Sequence, residues 1–174
     1  LARLGLVRAE RYRGARLTAA GRGAALQLIR RHRIIESYLV ERLGFGWEDV
    51  HDEAERLEHA ASDELITRMA DAIGNPTADP HGAPIPTAAG EVDETRLESI
   101  ADLKEGERAT VVRMSDRDPA FLRYLDGLGV RPGATVQVVD RAPFGGPLTL
   151  RVGRAEHAVG TSAAGQVFIR LEPR

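Results

Sequence analysis

Apolar residues return at helical spacing through the first part of the chain. Between Ala19 and Leu43 they recur close to the 3.6-residue period, which predicts one long amphipathic helix. Thr18 is a residue type that caps the amino end of a helix, and Gly44 is one that ends a helix. The positions that define the pattern are Leu26, Ile29, Ile34, Tyr38 and either Val40 or Leu43.

Two shorter helices are predicted next. The first runs from about Trp47 to His59, and the second runs from Ser62, a capping residue type, to Ile73. A Gly-Asn-Pro sequence at 74–76 stops the second helix. The apolar stripe of the first is Val50, Ala54, Leu57 and Ala61, and that of the second is Leu65, Ile66 and Met69.

The other segments favour strands and loops. Two short runs between Leu6 and Leu17 flank a polar tip and predict a β-hairpin, whereas residues 76–97 are rich in Pro, Gly, Ala and Thr and predict a linker. Short alternating runs with glycine turns follow and predict a small β-barrel. The predicted strands are Glu107–Arg113, Ala134–Arg141, Leu148–Val152, Glu156–Val159 and Val167–Leu171, and Pro119–Leu128 is predicted as a helix.

Composition narrows the class of protein. The chain has 174 residues, of which 43% are hydrophobic, enough for one large domain or two small ones. It has no cysteine, which excludes disulfides and thiolate metal sites. No apolar run nears the ~20 residues of a membrane span, and the first residues do not form a signal peptide, so we expect a cytoplasmic protein without a membrane partner. Because Leu1 is not a methionine, we also expect that the natural amino terminus is missing.

Charge is distributed unevenly. Residues 1–35 hold nine arginines and one acid, Glu10, whereas residues 36–75 hold eleven acids and three arginines. A basic end suits a polyanion such as nucleic acid, because phosphate contacts dominate that affinity. The predicted hairpin presents three of these arginines, at Arg11, Arg13 and Arg16. The acidic stretch suits a cation, although ordinary solvated surface charge is the alternative for any single residue.

One acidic segment has the residue types of a metal site. On a helix at 100° per residue, Glu55, Glu58 and His59 fall at about 40°, −20° and 80° from His51, so that four donors share one arc. His32 and Glu36 are spaced i, i+4 on the long helix and also share a face. Imidazoles and carboxylates without thiolates favour Mn²⁺ or Fe²⁺, with Zn²⁺ or Co²⁺ also bound in vitro.

Other interpretations of these residues remain open at this point. Glutamate-rich helices with scattered histidines also occur as solvated surfaces. The zinc-protease HEXXH spacing, the GXSXG motif, the P-loop and the dinucleotide glycine pattern are all missing from the sequence, so we do not expect an enzyme. His81 and His157 stand alone in the sequence, and we expect them to be structural or exposed.

Three stretches resemble a known family. They read RLTAAGRGAALQLIRRHRIIESYL, then LGFGWEDVHDEAERLEHAASDEL, then ADPHGAPIP, and they are similar to the diphtheria toxin repressor family of metal-dependent regulators. A later PFGGPL sequence resembles the SH3-like domain that ends many members. The resemblance implies an α+β protein: a winged-helix remnant and a helical dimerisation domain, followed by a small SH3-like β-barrel.

The resemblance also implies domain boundaries. Residues 1–18 would be the end of a recognition helix and the wing, and residues 19–75 the metal-binding and dimerisation domain. Residues 76–97 would be the linker and residues 98–174 the SH3-like, FeoA-like domain. The helices that read DNA would then lie mostly upstream of Leu1.

Site residues follow from the same resemblance. Glu55, Glu58 and His59 match the primary metal site, and His32, Glu36 and His51 match the ancillary site of iron-sensing members. A glutamate at the position of Glu55 is typical of manganese sensors, which shifts the expected preference toward Mn²⁺. Asp116 and Asp118 are weaker candidates for a ligand from the SH3-like domain. Leu65, Ile66 and Met69 would form the dimer interface, with ordinary monomer core as the alternative.

The sequence therefore predicts a repressor of metal homeostasis. It would bind a double-stranded DNA operator as a homodimer, with Mn²⁺ or Fe²⁺ as co-repressor and with Arg11, Arg13 and Arg16 at the phosphates. A metal-independent protein-interaction module is the first alternative. A small metallohydrolase, with Glu58 as the base, is the second.

Overall fold

The computed structural model describes residues 1–10 and 14–172, which form two compact units. The helical unit comprises Leu1–Phe45, Asp52–Asp79 and Pro84–Glu94. The β unit comprises Gly46–His51, Pro80–Ala83 and Thr95–Arg174. The protein is thus α+β, as predicted.

Three helices build most of the helical unit: α1 (Ala19–Leu43), α2 (Val50–Glu58) and α3 (Asp63–Ala72). The Thr18 side chain accepts a hydrogen bond from the Gly21 amide at 3.1 Å, and Gly44 ends α1 with a positive φ of 73°. These caps confirm the predicted ends of α1. The second helix was predicted to begin at Trp47, but residues 47–49 form a turn, and α2 begins at Val50.

The core of the helical unit lies between α1 and α3. Ile34 and Ile35 of α1 are almost fully buried, as are Ile66 and Ala70 of α3. Burial of Ile66 matches the alternative of monomer core for this residue. Leu65, one position earlier, is 44% exposed.

The predicted hairpin is present as β1 (Val7–Glu10) and β2 (Gly14–Leu17), which pair antiparallel. Its register places Arg8 opposite Arg16, and Arg16 is exposed. Arg11 and Arg13 lie outside the described residues.

Residues 76–97 were predicted to form a linker, but part of this segment packs alongside α1. Gln27 donates to the Ala88 carbonyl at 2.9 Å, and Arg30 donates to the Pro86 carbonyl at 2.8 Å. Ile85 is buried in the helical unit. A proline-rich segment without regular secondary structure leaves backbone carbonyls unpaired, and the long polar side chains of α1 donate hydrogen bonds to two of them. Apolar content alone could not predict this packing.

The β unit is a six-stranded antiparallel sheet in the order β3-β8-β4-β5-β6-β7. Its core consists of inward-facing residues on alternating positions, such as Val136 and Val138 of β5. Two short helices, α4 (Pro119–Gly127) and α5 (Thr161–Ala164), complete the unit. The strands are β3 (Glu98–Ser99), β4 (Arg108–Met114), β5 (Thr135–Arg141), β6 (Leu148–Val152), β7 (Ala155–Val159) and β8 (Val167–Leu171).

All five predicted strands are found within one residue of their expected ends, and the predicted helix corresponds to α4. The two-residue strand β3 and the four-residue α5 were not predicted, because segments so short carry no periodicity. In the part of the chain that the structure describes, no helix combines the length and the apolar character that crossing a membrane requires.

Candidate metal centre

His32 lies between two carboxylates inside the helical unit. Its Nδ1 is 2.8 Å from Oε2 of Glu58, and its Nε2 is 2.9 Å from Oε1 of Glu36. Glu36 is one turn further along α1, and Glu58 is the last residue of α2. The Glu36 side chain is fully buried, and that of Glu58 is 9% exposed. One imidazole thus joins two helices through two desolvated acids.

The pKa of His32 shows how strongly this site favours positive charge. Burial by itself lowers that pKa, but the hydrogen bonds and charges of Glu36 and Glu58 outweigh burial and raise the pKa from 6.5 to about 9. His32 is therefore an imidazolium at neutral pH in the metal-free protein. Two buried carboxylates need a compensating cation, and here the protonated ring provides it.

Asp79 adds a further buried carboxylate to the helical unit. Its side chain is fully buried, and its Oδ2 lies 3.3 Å from Nε of Arg33. A carboxylate oxygen of Asp79 lies within 4.8 Å of one of Glu36. Sequence reasoning missed Asp79, because it lies in the segment that was interpreted as a linker. The only signal was its place in the ADPHGAPIP stretch of the resemblance.

The remaining α2 candidates are more exposed. Glu55 is exposed one turn before Glu58 and His59. The His59 side chain is 71% exposed, and its Nε2 lies 3.5 Å from Oε1 of Glu58. His51, the second residue of α2, is half-buried and belongs to the β unit. The structure therefore brings together His32, Glu36, Glu58 and His59, with Glu55 one turn away on α2.

The two weaker candidates lie in the β unit. Asp118 caps α4, where its Oδ1 accepts a hydrogen bond from the Ala120 amide at 2.8 Å. This contact gives Asp118 a structural role of its own. Asp116 is half-buried just after β4.

His81, expected to be structural or exposed, is fully buried in the β unit. Its Nε2 lies 2.7 Å from the Trp47 carbonyl oxygen. A carbonyl can only accept, so Nε2 carries the proton and donates it. This hydrogen bond to the Trp47 carbonyl gives His81 a structural role.

The donor set suits a divalent cation of hard or borderline character. Carboxylate oxygens and imidazole nitrogens are the ligands that Mn²⁺ and Fe²⁺ take, and the sequence offers no thiolate. The burial of Glu36 and Glu58 gives them a need for positive charge that an ion would satisfy. The residues present thus fit the metal that the resemblance implied.

Comparisons with known proteins agree with this chemistry. Residues 18–87 match a family described as "Iron dependent repressor, metal binding and dimerisation domain", and residues 99–171 match the FeoA domain family. The chain is 34% identical over 154 residues to the iron-dependent repressor IdeR of Mycobacterium bovis, an alignment that covers 82% of this chain and 66% of that protein. The chain therefore spans slightly less than two thirds of that relative.

A second sequence relative is of a different kind. A probable metal transport system membrane protein of Chlamydia trachomatis is 43% identical over 70 residues, which is 40% of this chain and 16% of that protein.

A solved structure is similar over nearly the whole chain. It is described as a manganese-dependent transcriptional repressor in complex with manganese, with a TM-score of 0.91 and 39% sequence identity. The match covers 99% of this chain and 80% of that one. With this identity and coverage, and with both domain families in the expected order, the chain belongs to the diphtheria toxin repressor family of metal-dependent transcriptional regulators.

Proposed function

We propose that this chain is the metal-sensing and dimerising part of a transcriptional repressor that uses Mn²⁺ or Fe²⁺ as co-repressor. The observation that carries the proposal is the placement of His32 between the buried carboxylates of Glu36 and Glu58. The two buried carboxylates already hold one positive charge, the His32 imidazolium, and a metal ion could take its place.

Two sets of residues would hold the ions. Glu55, Glu58 and His59 on and just after α2 would form the primary site, and His32, Glu36 and His51 the ancillary site. Glu58 contacts both His32 and His59, so the two sets adjoin. The buried Asp79 beside Glu36 adds negative charge at the ancillary side. A bound ion would replace the positive charge that the His32 imidazolium supplies to Glu36 and Glu58 in the metal-free protein.

A bound ion would change what His32 does. To offer a nitrogen lone pair, the ring would have to lose the proton that it carries in the metal-free protein. Glu36 of α1 and Glu58 of α2 would then no longer bond to an imidazolium, and the contact between α1 and α2 would change. A repressor could use this change to favour one orientation of its DNA-binding domain over others.

DNA and a second copy are the proposed partners, in the cytoplasm. Arg16, together with Arg11 and Arg13, would contact phosphates, which position a protein on DNA without reading its sequence. Leu65 is 44% exposed on α3, and Leu28 and Ile29 of α1 are 42% and 37% exposed. These apolar side chains, with the half-buried Met69, support a homodimer through the helical unit.

The choice of metal remains between manganese and iron. Glu55 offers a hard oxygen, which favours Mn²⁺ over softer ions. His32 and Glu36 point instead toward the ancillary site of iron-sensing members. We expect Zn²⁺ and Co²⁺ to bind in vitro, because affinity at such sites rises from Mn²⁺ toward copper.

A second candidate function rests on the chlamydial relative. The likeness of part of this chain to a stretch of a metal transport protein supports the idea that this part senses metal for a protein other than a DNA-binding one. Both candidate functions require the metal site, and neither involves catalysis. If the full-length protein binds DNA when Mn²⁺ is present, the repressor is favoured. If it binds the metal but does not bind DNA, the second candidate is favoured.

Calorimetric titration with Mn²⁺, and with Fe²⁺ under anaerobic conditions, tests the metal site. Glu58→Gln keeps the size of the side chain and removes its charge, and we expect it to weaken Mn²⁺ binding by at least about tenfold. Glu53→Gln is the matched control, because Glu53 lies on the same helix. Its carboxylate forms an ion pair with Arg56 at 2.9 Å. If Glu58→Gln binds Mn²⁺ as tightly as the control, the proposal is wrong.

A further inference from the structure

The turn before α2 is held by side chains of the β unit. His81 donates from Nε2 to the Trp47 carbonyl at 2.7 Å, and the two rings lie 5.6 Å apart. The guanidinium carbon of Arg131 lies 5.1 Å from the centroid of the Trp47 ring, within the range of a cation–π contact. Trp47 itself is only 6% exposed.

Ion pairs also contact the rest of the turn, which comprises residues 47–49. Arg123 of α4 donates to Oδ1 of Asp49 at 2.9 Å. Arg131 is held in place by an ion pair with Asp126, and Glu48 adds to the attraction. We call His81, Arg123 and Arg131 the α2 clamp.

The clamp has a rigid base in the sheet. The Met114 amide of β4 donates to the His81 carbonyl at 3.0 Å. At Gly82 the backbone comes so close to β4 that a Cβ atom would lie 1.9 Å from the Val112 carbonyl oxygen. The φ of +83° at Gly82 also favours glycine. The backbone of His81 is thus held against β4, which fixes the position from which its ring reaches the Trp47 carbonyl.

We propose that the α2 clamp positions the start of α2, and with it His51, so that metal binding on α2 and the packing around Trp47 are coupled. This inference rests on the proposed metal-sensing function. His51 lies four residues after Trp47 and seven before Glu58, and a helix transmits a shift at one end to the other because it is nearly rigid. His81, Arg123 and Arg131 are positioning residues here, not ligands.

The coupling is reciprocal. If the clamp favours the metal-binding placement of His51, a bound ion must favour the clamped turn by the same factor. The packing around Trp47 then sets part of the affinity of the sensor.

Tryptophan fluorescence is the test, because Trp47 is the only tryptophan in the chain. Addition of Mn²⁺ to the wild-type protein should shift the Trp47 emission maximum with the same midpoint as the calorimetric titration. Arg131→Gln should weaken Mn²⁺ binding about fivefold, the effect of losing one partly exposed cation–π contact. Arg131→Lys should recover part of the loss, because it retains the cation.

Arg151→Gln is the matched control. Arg151 lies in the same unit, is similarly exposed at 42% against 54% for Arg131, and pairs with Glu156 at 2.6 Å, but it takes no part in the clamp. If Arg131→Gln does not fold, Arg123→Gln takes its place, because both partners of the Arg123–Asp49 pair are more than half exposed.

The outcomes separate the two proposals. Equal Mn²⁺ affinity in Arg131→Gln and Arg151→Gln, or a Trp47 emission that ignores bound Mn²⁺, overturns the clamp and leaves the metal site intact. A wild-type protein that shows no calorimetric Mn²⁺ binding overturns both. A loss of thermal stability without a change in affinity assigns the clamp a merely structural role and also overturns the inference.

Discussion

Replacement of His32 by glutamine should change how the stability of the metal-free protein depends on pH. The pKa of His32 is raised from 6.5 to about 9 in the folded protein by Glu36 and Glu58, against the effect of burial. A raised folded pKa stabilises the folded state fully below the unfolded pKa of about 6.5, and the contribution disappears as the pH rises through 9. Glutamine has no proton to exchange, so His32→Gln should lack this pH dependence.

The magnitude follows from the size of the shift. A shift from 6.5 to about 9 corresponds to about 3 kcal/mol of unfolding free energy if the ring were fully shielded. The His32 side chain is 17% exposed, and solvent screening reduces the expected contribution to about 1–2 kcal/mol.

Urea unfolding in EDTA at pH 6.0 and pH 9.5 measures this contribution. Between these pH values the wild type should lose about 1–2 kcal/mol more unfolding free energy than His32→Gln. A parallel pH dependence in the two proteins would show that His32 is not the bridging imidazolium, and the electrostatic account of the site would be wrong.

Three further predictions concern the proton and the fold. Mn²⁺ binding should release about one proton from His32 at pH 7.5, so the calorimetric enthalpy should depend on the ionisation enthalpy of the buffer, and buffer-independent heat would contradict this. Ile35→Ala should cost about 3 kcal/mol in urea unfolding, because Ile35 is fully buried in α1, and a loss below about 1 kcal/mol would mean that the helical core is packed differently. Gly82→Ala should destabilise the β unit by at least about 2 kcal/mol, because its Cβ would meet the Val112 carbonyl, and a wild-type melting temperature would refute this close approach.

The elements that could be predicted from the sequence are those with strong local signals. The ends of α1 followed from Thr18 and Gly44, and the strands of the β unit followed from alternation between glycine turns. The i, i+4 pair of His32 and Glu36 also needed only helical geometry, and the structure joins these side chains by a hydrogen bond of 2.9 Å.

Contacts between distant segments could not be predicted in the same way. Glu58 bonds to His32 across 26 positions, and Asp79 lies close to Glu36 although its segment reads as a loop. The helical wheel placed Glu55, Glu58 and His59 in one arc, but only the packing of α2 shows that Glu58 is buried while Glu55 and His59 are exposed. Burial decides which of these side chains need a cation, and burial depends on tertiary structure.

Anomalous X-ray scattering from crystals grown with Mn²⁺ tests the central claim most directly. The account predicts a manganese peak coordinated by Glu58, with the His32 ring turned from a bridge between two carboxylates into a ligand or a neighbour of the ion. A saturated crystal with no manganese beside Glu58, and with His32 still bonded to both Glu36 and Glu58, would contradict it.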